Sequence, residues 1–283
     1  MNSMNASMSI SDLDVQTQDT RAQPVMRLRD GQLQQAQDQI AQEVAVAFVF
    51  NGIAFAVMMA SPSDLHDFAY GFAYSEGIID HATQIYDCEA KQEAQGYTID
   101  ITIAGACFAR LKDKKRQLAG RTGCGLCGVE SLEQAIRQPA AIQSEIRFSA
   151  PAISSACTAM RTQQNLLDAT GSSHAAAWCH ADGRVAVIRE DIGRHNALDK
   201  VIGACLRQGL NMPLGFVCVT SRASYEMVQK TANAGIPLLA AISGVTSLAI
   251  DIAQQAGLCL LGFTRGQDFS VYCHSQRLHF TTT

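Results

Sequence analysis

The chain has 283 residues, of which 47% are hydrophobic and 17% charged, a composition typical of a folded protein with one large or two smaller domains. Its formal net charge of -4 provides no general attraction to nucleic acid or to anionic lipid, so neither class of partner is expected. No apolar run reaches the roughly 18 residues of a membrane span and no export signal opens the sequence, so we expect a cytoplasmic protein.

The first half of the sequence predicts a polar tail followed by an α+β domain. Residues 1–24 lack an apolar period, which indicates a disordered tail. Asn51-Gly52 separates two apolar runs and is typical of a tight hairpin turn. The segment "SPSDLHDFAYGFAYSEG" predicts a helix to about Ser75, with Ser61 as a candidate cap. Together with the later alternating strands, this predicts an α+β domain over residues 25–119.

The second half alternates apolar strands with helical segments. "GFVCVTS", "PLLAAIS" and "LCLLGF" are fully apolar runs, each separated from the next by a helix pattern, and this order predicts a parallel or mixed sheet covered on both faces. One long helix is predicted for "PAISSACTAMRTQQNLLDATG", and a hairpin is predicted around Ala181-Asp182-Gly183. Residues 129–283 are therefore predicted to form a three-layer α/β domain.

Ligands of such sheets bind beyond the carboxyl ends of the strands, where helices begin. Three segments occupy those positions here, namely 220–222, 243–246 and 263–266. His195 is a candidate general base or a helix-capping residue, whereas Trp178 and Tyr272 are expected to pack.

The ten cysteines are of two kinds. Some lie within apolar strands, as Cys218 and Cys259 do, and these are predicted to be buried thiols. Cys124 and Cys127 instead form a Cys-x-x-Cys pair in "GRTGCGLCGVESLEQ", among four glycines and just after a basic segment. The glycines predict a mobile loop over residues 120–128 in which the sulfur atoms are uncovered.

Three functions are compatible with this pair. A structural zinc site needs four ligands, and the sequence supplies one pair, with His174 and His180 reachable only through the fold. A redox pair is chemically reasonable, but the surrounding pattern is not that of thioredoxin. A persulfide carrier needs a reachable thiolate, which the flexible loop and the nearby cations would favour. We favour the persulfide carrier, and expect no tightly bound metal.

Several long motifs resemble one known family. "RTGCGLCGVESLE", "EDIGRHNALDKVIG", the segment from "TSRASYEMV" to "LLGFTRG", and "FSVYCHSQRL" resemble the formate dehydrogenase accessory sulfurtransferase family (FdhD), with a match over roughly residues 42–279. The resemblance implies a fold similar to that of cytidine deaminase and a homodimer. It also implies that a cysteine persulfide receives sulfur from a cysteine desulfurase and passes it to the bis(molybdopterin guanine dinucleotide) molybdenum cofactor, which activates formate dehydrogenase.

The resemblance assigns roles to individual residues. Cys124 matches the persulfide-bearing position, and Cys127 is its companion. The segment that contacts the cofactor is matched by Phe263, Thr264, Arg265, Gly266, Gln267 and Asp268. Because that cofactor carries phosphate groups, the candidates for contact with it include Arg194, Arg222 and Arg265 and the hydroxyls of Ser243, Thr246 and Ser247, which are equally candidates for helix caps or surface ion pairs. The sequence thus predicts a sulfurtransferase. The alternatives are a binding protein that holds the cofactor without transferring sulfur, and a zinc or redox Cys-x-x-Cys protein.

Overall fold

The computed structural model describes residues 19–119, 139 and 141–279. The first unit contains a long two-stranded hairpin, a four-stranded sheet and two helices. Its sheet has the order β4-β3-β6-β5, in which β3 and β6 are parallel and the two outer pairings are antiparallel. The elements are β1 (Thr20–Arg29), β2 (Gln32–Ala41), β3 (Val44–Phe50), β4 (Ile53–Ala60), α1 (Leu65–Ser75), β5 (Ile85–Glu93), β6 (Gly96–Ile103) and α2 (Gly105–Ala119).

The second unit is built on a six-stranded mixed sheet of order β13-β12-β11-β10-β8-β9. The three strands β10, β11 and β12 are parallel, and antiparallel strands flank them on both sides. Its elements are β7 (Phe148–Ser149), α3 (Ala150–Arg161), α4 (Asn165–Thr170), β8 (His174–His180), β9 (Val185–Asp191), α5 (Arg194–Arg207), β10 (Gly215–Val219), α6 (Tyr225–Asn233), β11 (Leu238–Ala241), α7 (Ser247–Ala256), β12 (Cys259–Arg265), β13 (Asp268–Cys273) and β14 (Leu278–His279).

Each face of this sheet has its own apolar core. One face packs against α5, α6 and α7 and includes Trp178, Val217 and Leu260. The other packs against α3 and includes Phe148 and Phe216, whose rings meet edge to face. The three-layer α/β/α arrangement predicted from the apolar strands is therefore confirmed.

Several local predictions can be compared with the structure. Asn51 and Gly52 both have positive φ, as the predicted tight turn requires. Strand β1 begins at Thr20, inside the segment 1–24 that was predicted to be a tail. The single long helix predicted after Pro151 is two helices, α3 and α4, which are separated by residues 162–164.

The prediction that Ser61 caps α1 is wrong. The helix begins at Leu65, and its N-terminal flanking residue is Asp64, which has φ 56° and whose side chain accepts no capping hydrogen bond. Ser61 is fully buried and instead contacts Asp191 and Lys200, about 130 residues away in sequence. The local Ser-Pro pattern therefore marks a joint between the two units.

This joint is a buried ion pair enclosed by hydrogen bonds. Lys200 Nζ lies 2.7 Å from Asp191 Oδ2, and both side chains are 0% exposed. Asp191 also accepts hydrogen bonds from the backbone N–H and the hydroxyl of Ser61, at 3.0 and 2.9 Å. Lys200 donates to the carbonyl and the hydroxyl oxygens of Ser61, at 3.1 and 3.0 Å. Buried charges are tolerated only when paired and hydrogen-bonded in this way.

Helices α1 and α5 cross at very short distance because each has a glycine at the crossing. A Cβ atom at Gly203 would lie 1.8 Å from the backbone oxygen of Asp67, and one at Gly71 would lie 1.7 Å from that of Asp199. A second set of charges borders the crossing, where Asp67 pairs with Arg189 and Arg207 at 2.7 and 2.6 Å. Helix α5 therefore packs on the large sheet on one side and on α1 on the other.

Replacing Gly203 with alanine should strongly destabilise the protein, because the new methyl group would overlap main-chain atoms that cannot rotate away. We expect a loss of at least about 3 kcal/mol in the free energy of unfolding, at the upper end for overpacking. Urea denaturation would measure it. The matched control is Gly105→Ala, since a Cβ there meets no atom within 4 Å and should leave stability unchanged or slightly raised. Equal stability of both variants would contradict the close crossing.

Replacing Lys200 with methionine should leave Asp191 as an unpaired buried charge, at a cost of about 3–5 kcal/mol in the free energy of unfolding. Ser61→Ala removes hydrogen bonds but keeps the ion pair, so we expect a smaller loss of about 1–3 kcal/mol. The control Lys91→Met disrupts an exposed pair and should have little effect. If Lys200→Met denatured at the same urea concentration as the control, the buried ion pair would contribute little to the stability of the protein.

Candidate functional site

The candidate site lies along one edge of the six-stranded sheet, where the parallel strands β10, β11 and β12 end. The segments that follow these strands are hydrogen-bonded to one another through their main chains. Ala223 N–H donates to the carbonyl of Gly244 at 3.1 Å, and Thr246 N–H donates to that of Ala223 at 3.2 Å. Phe263 N–H donates to the carbonyl of Ser243 at 3.0 Å. The three predicted ligand segments therefore form one continuous rim, at the position where such sheets bind ligands.

Phe263 has the most unusual conformation on this rim. Its φ is 55°, in the left-handed region, and its side chain is 50% exposed. The pairing of β12 with β13 shifts register between Gly262 and Arg265, so Phe263 lies in a bulge that turns its ring outward. The ring lies against Gly244, where a Cβ atom would be 3.2 Å from it. An exposed aromatic ring held in a strained backbone is typical of a binding site.

The remaining residues of the predicted cofactor segment form the turn between β12 and β13. Arg265, Gly266, Gln267 and Asp268 are all exposed, and Gly266 has φ 58°. Thr264 is the exception, because it is only 1% exposed and its hydroxyl has no hydrogen-bond partner within the described part of the chain. The structure thus places an aromatic ring and a guanidinium group together at one end of the rim.

Other predicted contact residues have structural roles. Thr246 is the N-cap of α7 and accepts a hydrogen bond from Ala249 N–H at 3.4 Å. The carbonyl of Ser243 is bonded to Phe263, and Ser247 is exposed in the first turn of α7. Arg222 is exposed on the rim after β10. Trp178 is buried and its indole N–H donates to the carbonyl of Met212 at 3.3 Å, so it packs as predicted.

His195 lies in the first turn of α5 and faces the first turn of α6. Its Nε2 is 2.6 Å from Oε2 of Glu226. The imidazole, partly opposed by burial, lowers the pKa of the Glu226 carboxyl below its ordinary value. His195 does not cap its helix, and its carboxylate partner was not predicted from the sequence because Glu226 lies 31 positions further along.

Of the ten cysteines, Cys124 and Cys127 lie outside the described residues, and seven of the other eight are buried. Cys218 is 0% exposed and receives a hydrogen bond from the Cys157 thiol at 3.2 Å, which raises its pKa well above the ordinary value. Burial raises the pKa of Cys205 and Cys259 to about 12. Cys88 is partly exposed, yet burial of its sulfur raises its pKa to about 12 as well. These thiols are protonated and poorly nucleophilic at neutral pH.

The two histidines considered as zinc ligands lie at opposite ends of one strand. His174 begins β8 and His180 ends it, so they are separated by about 20 Å along the strand. In residues 19–119, 139 and 141–279, no three histidine, cysteine or carboxylate side chains are grouped closely enough to hold a metal ion. In the same ranges, no helix is both long enough and apolar enough to cross a membrane.

Comparison with known proteins gives a consistent family match. The model of the FdhD/NarQ family matches residues 41–279. The sulfur carrier protein FdhD of Cupriavidus necator is 51% identical over 254 residues, which cover 90% of this chain and 88% of the relative. That of Variovorax paradoxus is 47% identical over 272 residues, or 96% of this chain and 98% of the relative.

A solved structure has the same fold. It comes from Desulfotalea psychrophila and is provisionally described as a formate dehydrogenase accessory protein. The two chains are 25% identical and superpose with a TM-score of 0.71, over 92% of this chain and 99% of the other. The architecture of both units is therefore shared with that protein.

Replacing Phe263 with glycine should change stability little, because the ring is half exposed and glycine adopts positive φ without strain. We expect a free energy of unfolding within about 1 kcal/mol of that of the unmodified protein. Phe216→Ala, at a fully buried position, should lose about 3–5 kcal/mol. Thermal or urea denaturation of both variants would test this. A large loss for Phe263→Gly would mean that the ring serves the fold and not a ligand.

Proposed function

Because the chain belongs to the FdhD/NarQ family, we propose that it is a sulfurtransferase that serves the maturation of formate dehydrogenase. In this proposal a cysteine desulfurase loads sulfur onto Cys124 as a persulfide. The protein then delivers that sulfur to the molybdenum of a bis(molybdopterin guanine dinucleotide) cofactor held at the rim of the large sheet. Cytoplasmic location and a homodimeric state are part of the same proposal.

The observation that carries the proposal is the burial and the raised pKa values of the eight cysteine thiols that the structure describes. A sulfur carrier needs a thiolate that can attack a donor persulfide and then be reached by an acceptor. Every described cysteine is buried, or has a pKa raised by burial, or both. These eight are therefore unsuited to the task, which leaves Cys124 and Cys127 as the candidate carriers in the sequence.

The first step, in which Cys124 is loaded with sulfur, needs no added oxidant. The Cys124 thiolate attacks the outer, sulfane sulfur of the desulfurase persulfide, so that the new S–S bond forms as the old one breaks and the desulfurase thiolate leaves. The outer sulfur of the Cys124 persulfide is then delivered to the substrate cofactor. In the proposal, the Cys127 thiolate attacks the Cys124 sulfur, so that a Cys124–Cys127 disulfide forms as the bond to the outer sulfur breaks and that sulfur leaves as sulfide. A dithiol reductant then reduces the disulfide before the next cycle.

The rim supports binding of a large anionic cofactor. Phe263 offers an exposed ring for stacking on a flat heterocycle, and Arg265 offers a guanidinium group suited to phosphate. The main chain of Phe263 is fixed by the hydrogen bond from its N–H to the carbonyl of Ser243, and Arg265 pairs with Asp268 across the turn. A protein of net charge -4 needs such local groups to hold phosphates. The carboxylate of Asp268 opposes this attraction in part, so affinity must come mainly from stacking and from Arg265.

The test is to incubate the purified protein with a cysteine desulfurase and free cysteine, and to measure intact mass. We expect a gain of one sulfur atom that a reducing agent removes, and Cys124→Ala should abolish it and the activation of formate dehydrogenase. Cys88→Ala is the matched control and should load normally, because that thiol is protonated. If Cys124→Ala activates the dehydrogenase fully, the protein is a cofactor-binding chaperone and the carrier proposal is wrong.

A further inference from the structure

Exposed apolar side chains are concentrated in one part of the molecule. Among the residues that the structure describes, nine large apolar side chains are exposed, and six of these lie on the β1–β2 hairpin and on β4. Single exposed apolar residues are common on protein surfaces, whereas a concentration of this kind marks an interaction surface. The six are Met26, Leu28, Leu33, Ile40, Val57 and Met59.

The β1–β2 hairpin (the arm) has little packing of its own. It is a separate two-stranded sheet with ten residues in each strand, which makes it about 33 Å long. Its main contacts with other elements are with α4, a helix of six residues. An isolated two-stranded hairpin is only marginally stable in water, so an arm of this length requires cover from another surface.

The tip of the arm carries one apolar cluster. Leu28 and Leu33 are directly opposite each other in the register of the two strands, and Met26 is on the same face because side chains alternate along a strand. The exposed fractions of Leu28, Leu33 and Met26 are 65, 67 and 59%. An apolar cluster therefore faces solvent at the end of the arm opposite its attachment to the chain.

The base of the arm carries a second apolar group. Ile40, at the second-last position of β2, and Met59, on β4, line the same cleft of about 500 Å³, together with Ile192. Val57 is exposed two positions before Met59. Strand β4 is an edge strand of its sheet, and its sequence IAFAVMMA contains none of the charges that usually protect an edge from pairing. The base therefore offers a partly apolar cleft and an apolar strand edge.

We propose that the arm joins two copies of this chain, with the tip of each arm on the base of the other. In a dimer with a two-fold axis, the same surface of both copies meets itself. Two identical arms that lie antiparallel across such an axis place each tip at the base of the other copy. The tip cluster and the apolar group at the base then cover each other, and no third surface is needed. That two copies associate is part of the proposed function, whereas the surface through which they associate is inferred from the arm itself.

The exposed charges of the arm agree with this antiparallel arrangement. Arg29 and Asp30 are exposed at the tip, and Arg21 and Glu43 are exposed at the base. An antiparallel pair of arms brings Arg29 of one copy towards Glu43 of the other, and Asp30 towards Arg21, so that opposite charges meet. A parallel pair would bring each charge towards its own counterpart. Exposed ion pairs add little affinity, but complementary charges fix the orientation of two partners.

The area of such a contact is sufficient for a stable dimer. One face of the arm is about 33 Å long and roughly 10 Å wide, since its two strands are about 4.8 Å apart, which gives roughly 300 Å². Each copy also covers the arm of the other with a similar area at its base, so the two copies together bury roughly 1,200 Å². This area is at the lower end of the range of about 1,200–2,000 Å² for stable interfaces.

The test measures the oligomeric state of the full chain by analytical ultracentrifugation. We expect a dimer whose dissociation constant rises by at least about 100-fold in Leu28→Asp/Leu33→Asp, because each copy buries two leucine side chains in the contact. Both positions are exposed in the single chain, so the variant should keep its fold and its circular dichroism spectrum. The matched control is Tyr86→Asp/Leu214→Asp, which replaces two exposed apolar residues away from the arm with the same charges. The control should dimerise like the unmodified protein.

Cross-linking tests whether tip and base meet. In a Cys124→Ala/Cys127→Ala background, the remaining thiols are buried or have a pKa raised by burial. A chain with Leu33→Cys and a chain with Met59→Cys, when mixed, should be joined by a short bismaleimide. Neither chain alone should be joined into a dimer, because the two tips lie far apart in an antiparallel pair of arms, as do the two bases.

These measurements separate failure of the arm from failure of the proposed function. A monomeric unmodified protein, a dimer that Leu28→Asp/Leu33→Asp leaves intact, or a mixture that does not cross-link would refute the contact between tip and base. A monomer would also remove the homodimeric state from the proposed function, yet the gain of sulfur at Cys124 would still decide the carrier role. If the carrier role fails while the arm variant is monomeric and the mixture cross-links, the contact between arms stands alone.

Discussion

The fold depends on one buried contact, in which Asp191 and Lys200 enclose Ser61 between the two units. Both charges lie on or beside α5, and the serine comes from the connection between β4 and α1. Removing any one of the three would leave a buried polar group without its partner. The contact fixes the start of α5, because Asp191 also binds Gly193 N–H and the side chain of Asn196. Arg194 and His195 are therefore held at the rim by the same contact that joins the units.

Sequence patterns predicted the parts of this structure that depend on neighbouring residues. The Asn51-Gly52 turn needs two positive φ angles, which these residues adopt easily, and the apolar strands β10, β11 and β12 need cover on both faces. The role of Ser61 could not be predicted, because its partners are about 130 residues away and its local pattern satisfies the rules for a helix cap. The break between α3 and α4 was missed because Gln164 is fully buried at a position where the apolar period continues.

The candidate site was predicted in part. Strand order placed segments 220–222, 243–246 and 263–266 at one edge, and the structure joins them by main-chain hydrogen bonds. The left-handed conformation of Phe263 follows from a bulge, and no local residue pattern encodes it. The uncapped state of Ser224 was also hidden, since serine before a helix normally predicts a cap. The local rule thus failed at Ser61 because its partners are distant in sequence, and at Ser224 because its hydroxyl is left without a partner in the described part of the chain.

The sandwiched position of α5 has a consequence for how the chain can be divided. Ten of its residues are buried, including Asp199 and Lys200, and these face partners in both units. A fragment ending before α5 would expose the surface of α1, and a fragment beginning after it would lose part of the cover on one face of the large sheet, where α6 and α7 alone would remain. The two units are thus distinct in architecture but share one interior, so engineered cuts, permutations or insertions should be placed at the exposed tip of the β1–β2 hairpin, at Asp30-Gly31.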